Sequence, residues 1–204
     1  MFEPFGEIKL KIVHELIAKS NPEDKILIDL GSGKPAISDG VKCKKRIKID
    51  ISPETEPDIV HNFTEGIPLP DSSVDICLAI EIIEHLYYSK RFVSEINRVL
   101  VPGGMLILTT PNIVNLRYRI AFMFGHIPAL AAKGDMFYKD DRYGHIRDYN
   151  FKELTGLLKS HSFEIVDKKT DGVSVLSRTI IPKFIIPVTF GDAIIVRAKC
   201  IKKK

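Results

Sequence analysis

The sequence predicts an α/β fold, a mostly parallel sheet wrapped by helices on both faces. Three observations carry that prediction. An apolar run, ILIDL at 26–30, leads straight into Gly31-Ser32-Gly33, the way such sheets bring bare backbone close to a nucleotide-type ligand. The next apolar run, RIKID, ends in an acid, Asp50, 17 residues past Gly33, where a carboxylate can accept hydrogen bonds from vicinal hydroxyls. Beyond that, strand-like runs alternate with helical patterns along most of the chain.

The elements follow in order. Phe5, Ile8, Ile12 and Leu16 recur at helical spacing, and Ser20-Asn21-Pro22 stops the helix, so residues 1–22 read as an N-terminal helical segment. Strands are predicted over 25–30, 46–50 and, after a proline-rich turn, 58–61. Only 12 residues separate Gly33 from Arg46, and they include Pro35, Gly40 and four lysines. A helix after the glycine turn is therefore expected to be very short or absent. VDICLAI, at 74–80, has no polar alternation and reads as a buried strand. Asp71-Ser72-Ser73 before it is a tight turn. Ser89 is placed to cap a helix carrying Phe92, Ile96 and Val99, ended by Pro102-Gly103-Gly104. A fifth strand is expected over 105–110. Asn150 with Glu153 gives a capping-box pattern ahead of Leu154, Leu157 and Leu158. Strands at 163–169 and 193–199 have no convincing helix between them, which points to antiparallel pairing at the end of the sheet.

The chain of 204 residues is 45% hydrophobic and 27% charged, which suits one globular domain over 1–204. A net charge of +4 comes from scattered lysines and the Lys202–204 tail, with no aromatic-interleaved basic patch, so nucleic acid is not the expected partner. Cys43, Cys77 and Cys200 lack metal spacing and suggest a reducing, cytoplasmic setting. No basic-then-apolar leader opens the sequence, and 113–132 and 178–196 are too interrupted by arginines or prolines to span a membrane.

Residues 67–112 read IPLPDSSVDICLAIEIIEHLYYSKRFVSEINRVLVPGGMLILTTPN. This series resembles the class I S-adenosylmethionine-dependent methyltransferases, in particular the type 11 branch. That branch shows a Leu-Pro-x-Pro-Asp turn, Glu-x-x-Glu-His after a strand, a Pro-Gly-Gly step and a Thr-Pro-Asn strand end. The stretch GHIRDYNFKELTGLLKSHSFEIV at 144–166 is also similar to the family, and the likeness spans roughly 25–170. The glycine turn and acid fit NAD-linked dehydrogenases equally well, but the later series does not. The resemblance implies a Rossmann-like sheet of seven strands with the last antiparallel, and S-adenosylmethionine across the strand ends. Gly31, Ser32 and Gly33 would wrap its methionine portion. Asp50 would hold the ribose and Ile51 would pack on adenine, near Asn62 and Phe63. Ile80 and Glu81 would line the methionine end. Asn62 replaces the usual Asp yet keeps an acceptor oxygen. Pro35 and the truncated segment 34–45 depart from the family pattern and open the alternative of a non-catalytic binding module.

Some relatives use Glu-x-x-Glu-His plus another ligand to bind a metal for O-methylation of RNA or catechols. Here Glu81, Glu84, His85 and His145 are the candidates. Other relatives share these residues without a metal, and no metal is expected. His145 is instead the candidate general base. Segment 113–145, rich in aromatic and aliphatic residues, is expected to cover a small, apolar acceptor, or else to touch a membrane or a partner protein. The expected chemistry is in-line transfer of a methyl group to oxygen or nitrogen.

Overall fold

In a computed structural model, which describes residues 6–126, 145–175, 178–181 and 186–202, the apolar runs become one seven-stranded sheet. Strands β1 (Ile26–Leu30), β2 (Lys45–Asp50), β3 (Ile59–Val60), β4 (Val74–Ile80) and β5 (Leu100–Pro111) pair in parallel. Strand β6 (Phe163–Lys169) is the far edge. A short ribbon, β7 (Val173–Val175) with β8 (Arg178–Ile181), leads to β9 (Ala193–Cys200). β9 inserts between β5 and β6, antiparallel to both, giving the order β3-β2-β1-β4-β5-β9-β6. The antiparallel pairing matches expectation; the β7–β8 ribbon has no counterpart in the sequence reading.

Alternate residues of each central strand face opposite layers. On one side Leu27, Ile76, Leu78, Ile107 and Ile195 pack under helix α1 (Glu7–Ala18), through Ile12, Val13, Leu16 and Ile17. On the other, Ile28, Leu30, Cys77, Ala79, Leu106, Leu108 and Val196 meet α2 (Ser89–Val99) and a later helix. Helix α3 (Leu116–Met123) follows β5, started by Asn115, whose Oδ1 accepts the Tyr118 N–H at 3.0 Å. Helix α4 (Phe151–Ser160) is capped as expected: Asn150 Oδ1 accepts the Glu153 N–H at 2.9 Å.

Several boundaries differ from the sequence reading. Ser89 is the first helical residue rather than the cap, and Tyr88 precedes it without a side-chain cap bond. β5 begins at Leu100, before the Pro-Gly-Gly step, because the strand continues through a register shift against β4. A Cβ on Gly104 would sit 3.0 Å from the Val101 carbonyl oxygen and 3.1 Å from that of Asp75, so glycine spares the strand a tight contact at the step. β3 is two residues rather than four. Residues 31–44 hold turns and bends with no helix, as Pro35 and Gly40 predict. Phe5 and residues 127–144 of the expected acceptor-side segment lie outside the described residues. Among the described residues, no helix is long and apolar enough to cross a membrane.

Candidate active site

The carboxyl ends of β1, β2 and β4 gather most of the predicted site residues. Gly31 and Gly33 have φ of +68° and +59°, a backbone turn that side chains disfavour. A Cβ on Gly31 would collide with Ile82, whereas one on Gly33 would meet nothing within 4 Å among the described residues. The turn is thus packed on its inner side and open on its outer side. Asp50 ends β2 beside it. Its Oδ2 accepts the Gly33 N–H and its Oδ1 accepts the Ser52 N–H, both at 2.9 Å. Each oxygen keeps lone-pair capacity for a further donor. Ser32 Oγ is buried with no hydrogen-bond partner among the described residues, and buried hydroxyls are normally paired. A bound polar molecule at this turn would satisfy it, so the residues fit the cofactor implied by the resemblance.

The adenine-side residues divide. Ile51 is 54% exposed, an apolar face open to a ligand. Asn62 is exposed, and its Oδ1 caps the 3₁₀ turn Phe63–Glu65 through the Thr64 N–H at 3.0 Å. Phe63 turns inward and packs on Phe92, ring centroids 5.4 Å apart, so its ring belongs to the core.

Beyond β4, Glu81 adopts φ +51°, a conformation rare for a side-chain-bearing residue. Its Oε1 accepts the Thr109 hydroxyl at 2.7 Å, and its Oε2 lies 3.1 Å from Lys9 Nζ on α1. Glu84, in the 3₁₀ turn Ile83–His85, is 1% exposed. Thr110 donates to its Oε2 at 3.0 Å, and its Oε1 has no hydrogen-bond partner among the described residues. Burial, with the nearby Glu81 charge, pushes the Glu84 carboxyl well above the usual range. The Glu84 carbonyl accepts the N–H groups of Ile146 and Arg147 at 2.8 and 3.1 Å. That clasp brings His145 edge-on to His85, centroids 4.9 Å apart. Burial and the neighbouring His85 hold the His145 pKa below its ordinary value, keeping the ring neutral. Glu84, His85 and His145 each offer a ligand atom within 4.8 Å of the others. Glu81 stands apart from that trio, committed to Lys9 and Thr109.

Sequence reasoning missed Lys9, Thr109 and Thr110. The threonines were visible only as part of a motif. Lys9 carried a signal, because it falls on the apolar stripe of α1.

Residues 28–108 match the family model described as a methyltransferase domain. A probable S-adenosylmethionine-dependent methyltransferase from Mycolicibacterium smegmatis is 40% identical over 110 residues, 54% of this chain and 36% of that protein. The chain thus spans about a third of the length of that curated relative. Among solved structures, a possible histamine N-methyltransferase from Thermotoga maritima superposes with a TM-score of 0.64 at 20% identity, covering 93% of this chain and 92% of that one. An N-methyltransferase from Bradyrhizobium japonicum, solved with S-adenosylhomocysteine, gives 0.63 at 12% identity, covering 98% and 89%. At these identities the superpositions speak for the fold alone. Residues 28–108 thus carry the match to a methyltransferase domain of the type 11 branch, on a fold shared with solved S-adenosylmethionine-dependent methyltransferases.

Proposed function

We propose that this protein transfers a methyl group from S-adenosylmethionine to an oxygen or nitrogen of a small, largely apolar acceptor. The observation that carries the reading is the open glycine turn, with its buried orphan Ser32 hydroxyl, set beside Asp50 at the strand ends. The cofactor supplies a methyl group already activated on a sulfonium, so the chain's task is placement and exclusion of water. The backbone of Gly31–Gly33 approaches the ligand, Asp50 accepts from the ribose hydroxyls, and Ile51 covers one face of the base. Glu81 and Ile80 form the wall at the methionine end. His145, neutral and beside His85, takes the acceptor's proton on a ring nitrogen when the nucleophile must lose one. Exposed Tyr87, Tyr88 and Ile146 near this cluster support an apolar acceptor. The free thiols of Cys43, Cys77 and Cys200 support a cytoplasmic setting.

A second reading rests on the closeness of Glu84, His85 and His145. Those donors suit a divalent cation, which would activate a hydroxyl acceptor. We favour the metal-free reading, since Glu81 is held by Lys9 and Thr109 and one Glu84 oxygen by Thr110.

Calorimetry tests the cofactor assignment. S-adenosylhomocysteine is expected to bind in the micromolar range, with no detectable NAD binding. Asp50→Ala is expected to weaken it by about 30- to 150-fold, the scale of lost charge-assisted hydrogen bonds. NAD binding without either methyl-cofactor form would overturn the assignment.

A further inference from the structure

Lys9 occupies a position where charge is costly. The core-facing residues of α1 are Ile12, Val13, Leu16 and Ile17, and one turn earlier on the same stripe stands Lys9. An apolar residue there would extend the core. The lysine instead reaches Glu81, with Nζ 3.1 Å from Oε2 and side chains only 16% and 23% exposed. Burial works to lower the Lys9 pKa, yet Glu81, with Asp171 and Glu84 nearby, outweighs it and the ammonium stays charged.

The pair also stands in a telling place. Parallel register between β1 and β4 sets Leu30 beside Ala79, so Glu81 emerges alongside the glycine turn. Thr109 fixes the Glu81 carboxylate from the β5 side. An ammonium and a carboxylate are thus held together, partly covered, at the turn. That arrangement complements an α-amino acid zwitterion. The usual anion holder, a helix N-terminus after the glycine turn, is missing: residues 34–40 are turns. Lys34, the nearest cation in sequence, pairs with Glu56 and is about half exposed.

We propose that Lys9 and Glu81 form the receptor for the amino-acid end of the cofactor. Lys9 takes the α-carboxylate and Glu81 the α-ammonium. The proposal rests on the cofactor reading above. Lys9 is then a positioning residue, and it comes from α1, outside the stretch matched by the family model. The device replaces fixed backbone amides with a side-chain cation.

Calorimetry with two ligands separates this role from a merely structural one. S-adenosylhomocysteine carries the amino-acid end; 5′-methylthioadenosine keeps the nucleoside and sulfur but lacks it. Lys9→Met is expected to weaken the first by about 30-fold or more, as for a lost charge-assisted contact. Its affinity for the second should stay within about twofold, and Lys9→Arg should recover most of the loss. Equal losses for both ligands, or no loss for S-adenosylhomocysteine, would show that Lys9 only ties α1 to the sheet. Wild-type protein that binds decarboxylated S-adenosylhomocysteine as tightly as the parent would also overturn the proposal, with no variant required to fold. Wild-type protein that binds neither nucleoside would instead bring down the cofactor assignment itself.

Discussion

Asp29 shows how much one buried carboxyl can weigh. It lies within β1, 1% exposed, and its Oδ2 accepts the Ser38 N–H at 3.1 Å, pinning the loop that follows the glycine turn. Burial, with Asp39 and Asp50 nearby, pushes its pKa up to about 6 from an ordinary 3.8, against the Ser38 hydrogen bonds that lower it. The folded-state value lies above the unfolded one, so the fold favours the protonated form. Stability from this group is fully present below about pH 4 and is lost as pH rises through about 6. Asparagine keeps the acceptor oxygen and carries no charge. Asp29→Asn is therefore expected to be more stable than wild type by about 1–3 kcal/mol near pH 8, with the difference vanishing near pH 4. Urea unfolding at both pH values measures this, and a constant offset would refute it. At this scale the sequence was only partly legible. Gly31, Gly33 and Asp50 announced themselves because their backbone or strand-end roles are local. The burial of Glu84 and the inward turn of Phe63 depend on neighbours 26 to 29 residues away, Thr110 and Phe92, and no local pattern encodes them.

Helix ends were legible where a side chain meets its own turn and not where tertiary packing decides. Asn150 with Glu153 forms the expected cap on α4. Ser89 has the right residue type, yet it is 5% exposed and already within α2, buried on the inner side of the helix rather than placed at its cap. The same logic separates β5 from its prediction. Pro-Gly-Gly is a strong stop signal in isolation, but β4 supplies a partner strand before and after it. Loss of the α4 cap has a measurable size. Asn150→Ala is expected to lower unfolding free energy by about 1 kcal/mol, the usual cost of an N-cap, without altering S-adenosylhomocysteine affinity. Thermal melts alongside calorimetry check both halves; a change in affinity with no change in melting would contradict this account.

Across the whole molecule, sheet composition and both-face wrapping followed from alternating apolar runs. The insertion of β9 between β5 and β6 did not, since Ile194, Ile195 and Val196 would read the same at an edge. Charge distribution around the site yields a further expectation. Glu81 is balanced by Lys9, and Glu84 is held toward its neutral form by burial, so no pair of bare carboxylates demands a cation. EDTA treatment is expected to leave melting temperature and S-adenosylhomocysteine affinity unchanged. Stoichiometric metal in the purified protein, lost in both Glu84→Ala and His145→Ala, would establish the metal reading instead.

Helix α1 is the described cover on its side of the sheet, and it holds that side through Ile12, Val13, Leu16 and Ile17. It begins at Glu7, its N-cap Gly6 makes no side-chain cap bond, and the Lys9–Glu81 pair is what ties its first turn to the sheet. Without that cover, Leu27, Ile76, Leu78, Ile107 and Ile195 from four adjacent strands would form one continuous greasy surface. Two molecules stripped of α1 would present faces able to adhere without any specificity. If the proposed cofactor contacts to Lys9 and Glu81 hold, bound S-adenosylhomocysteine is expected to fasten the first turn of α1 to the sheet and to reduce self-association on mild heating, as read by light scattering.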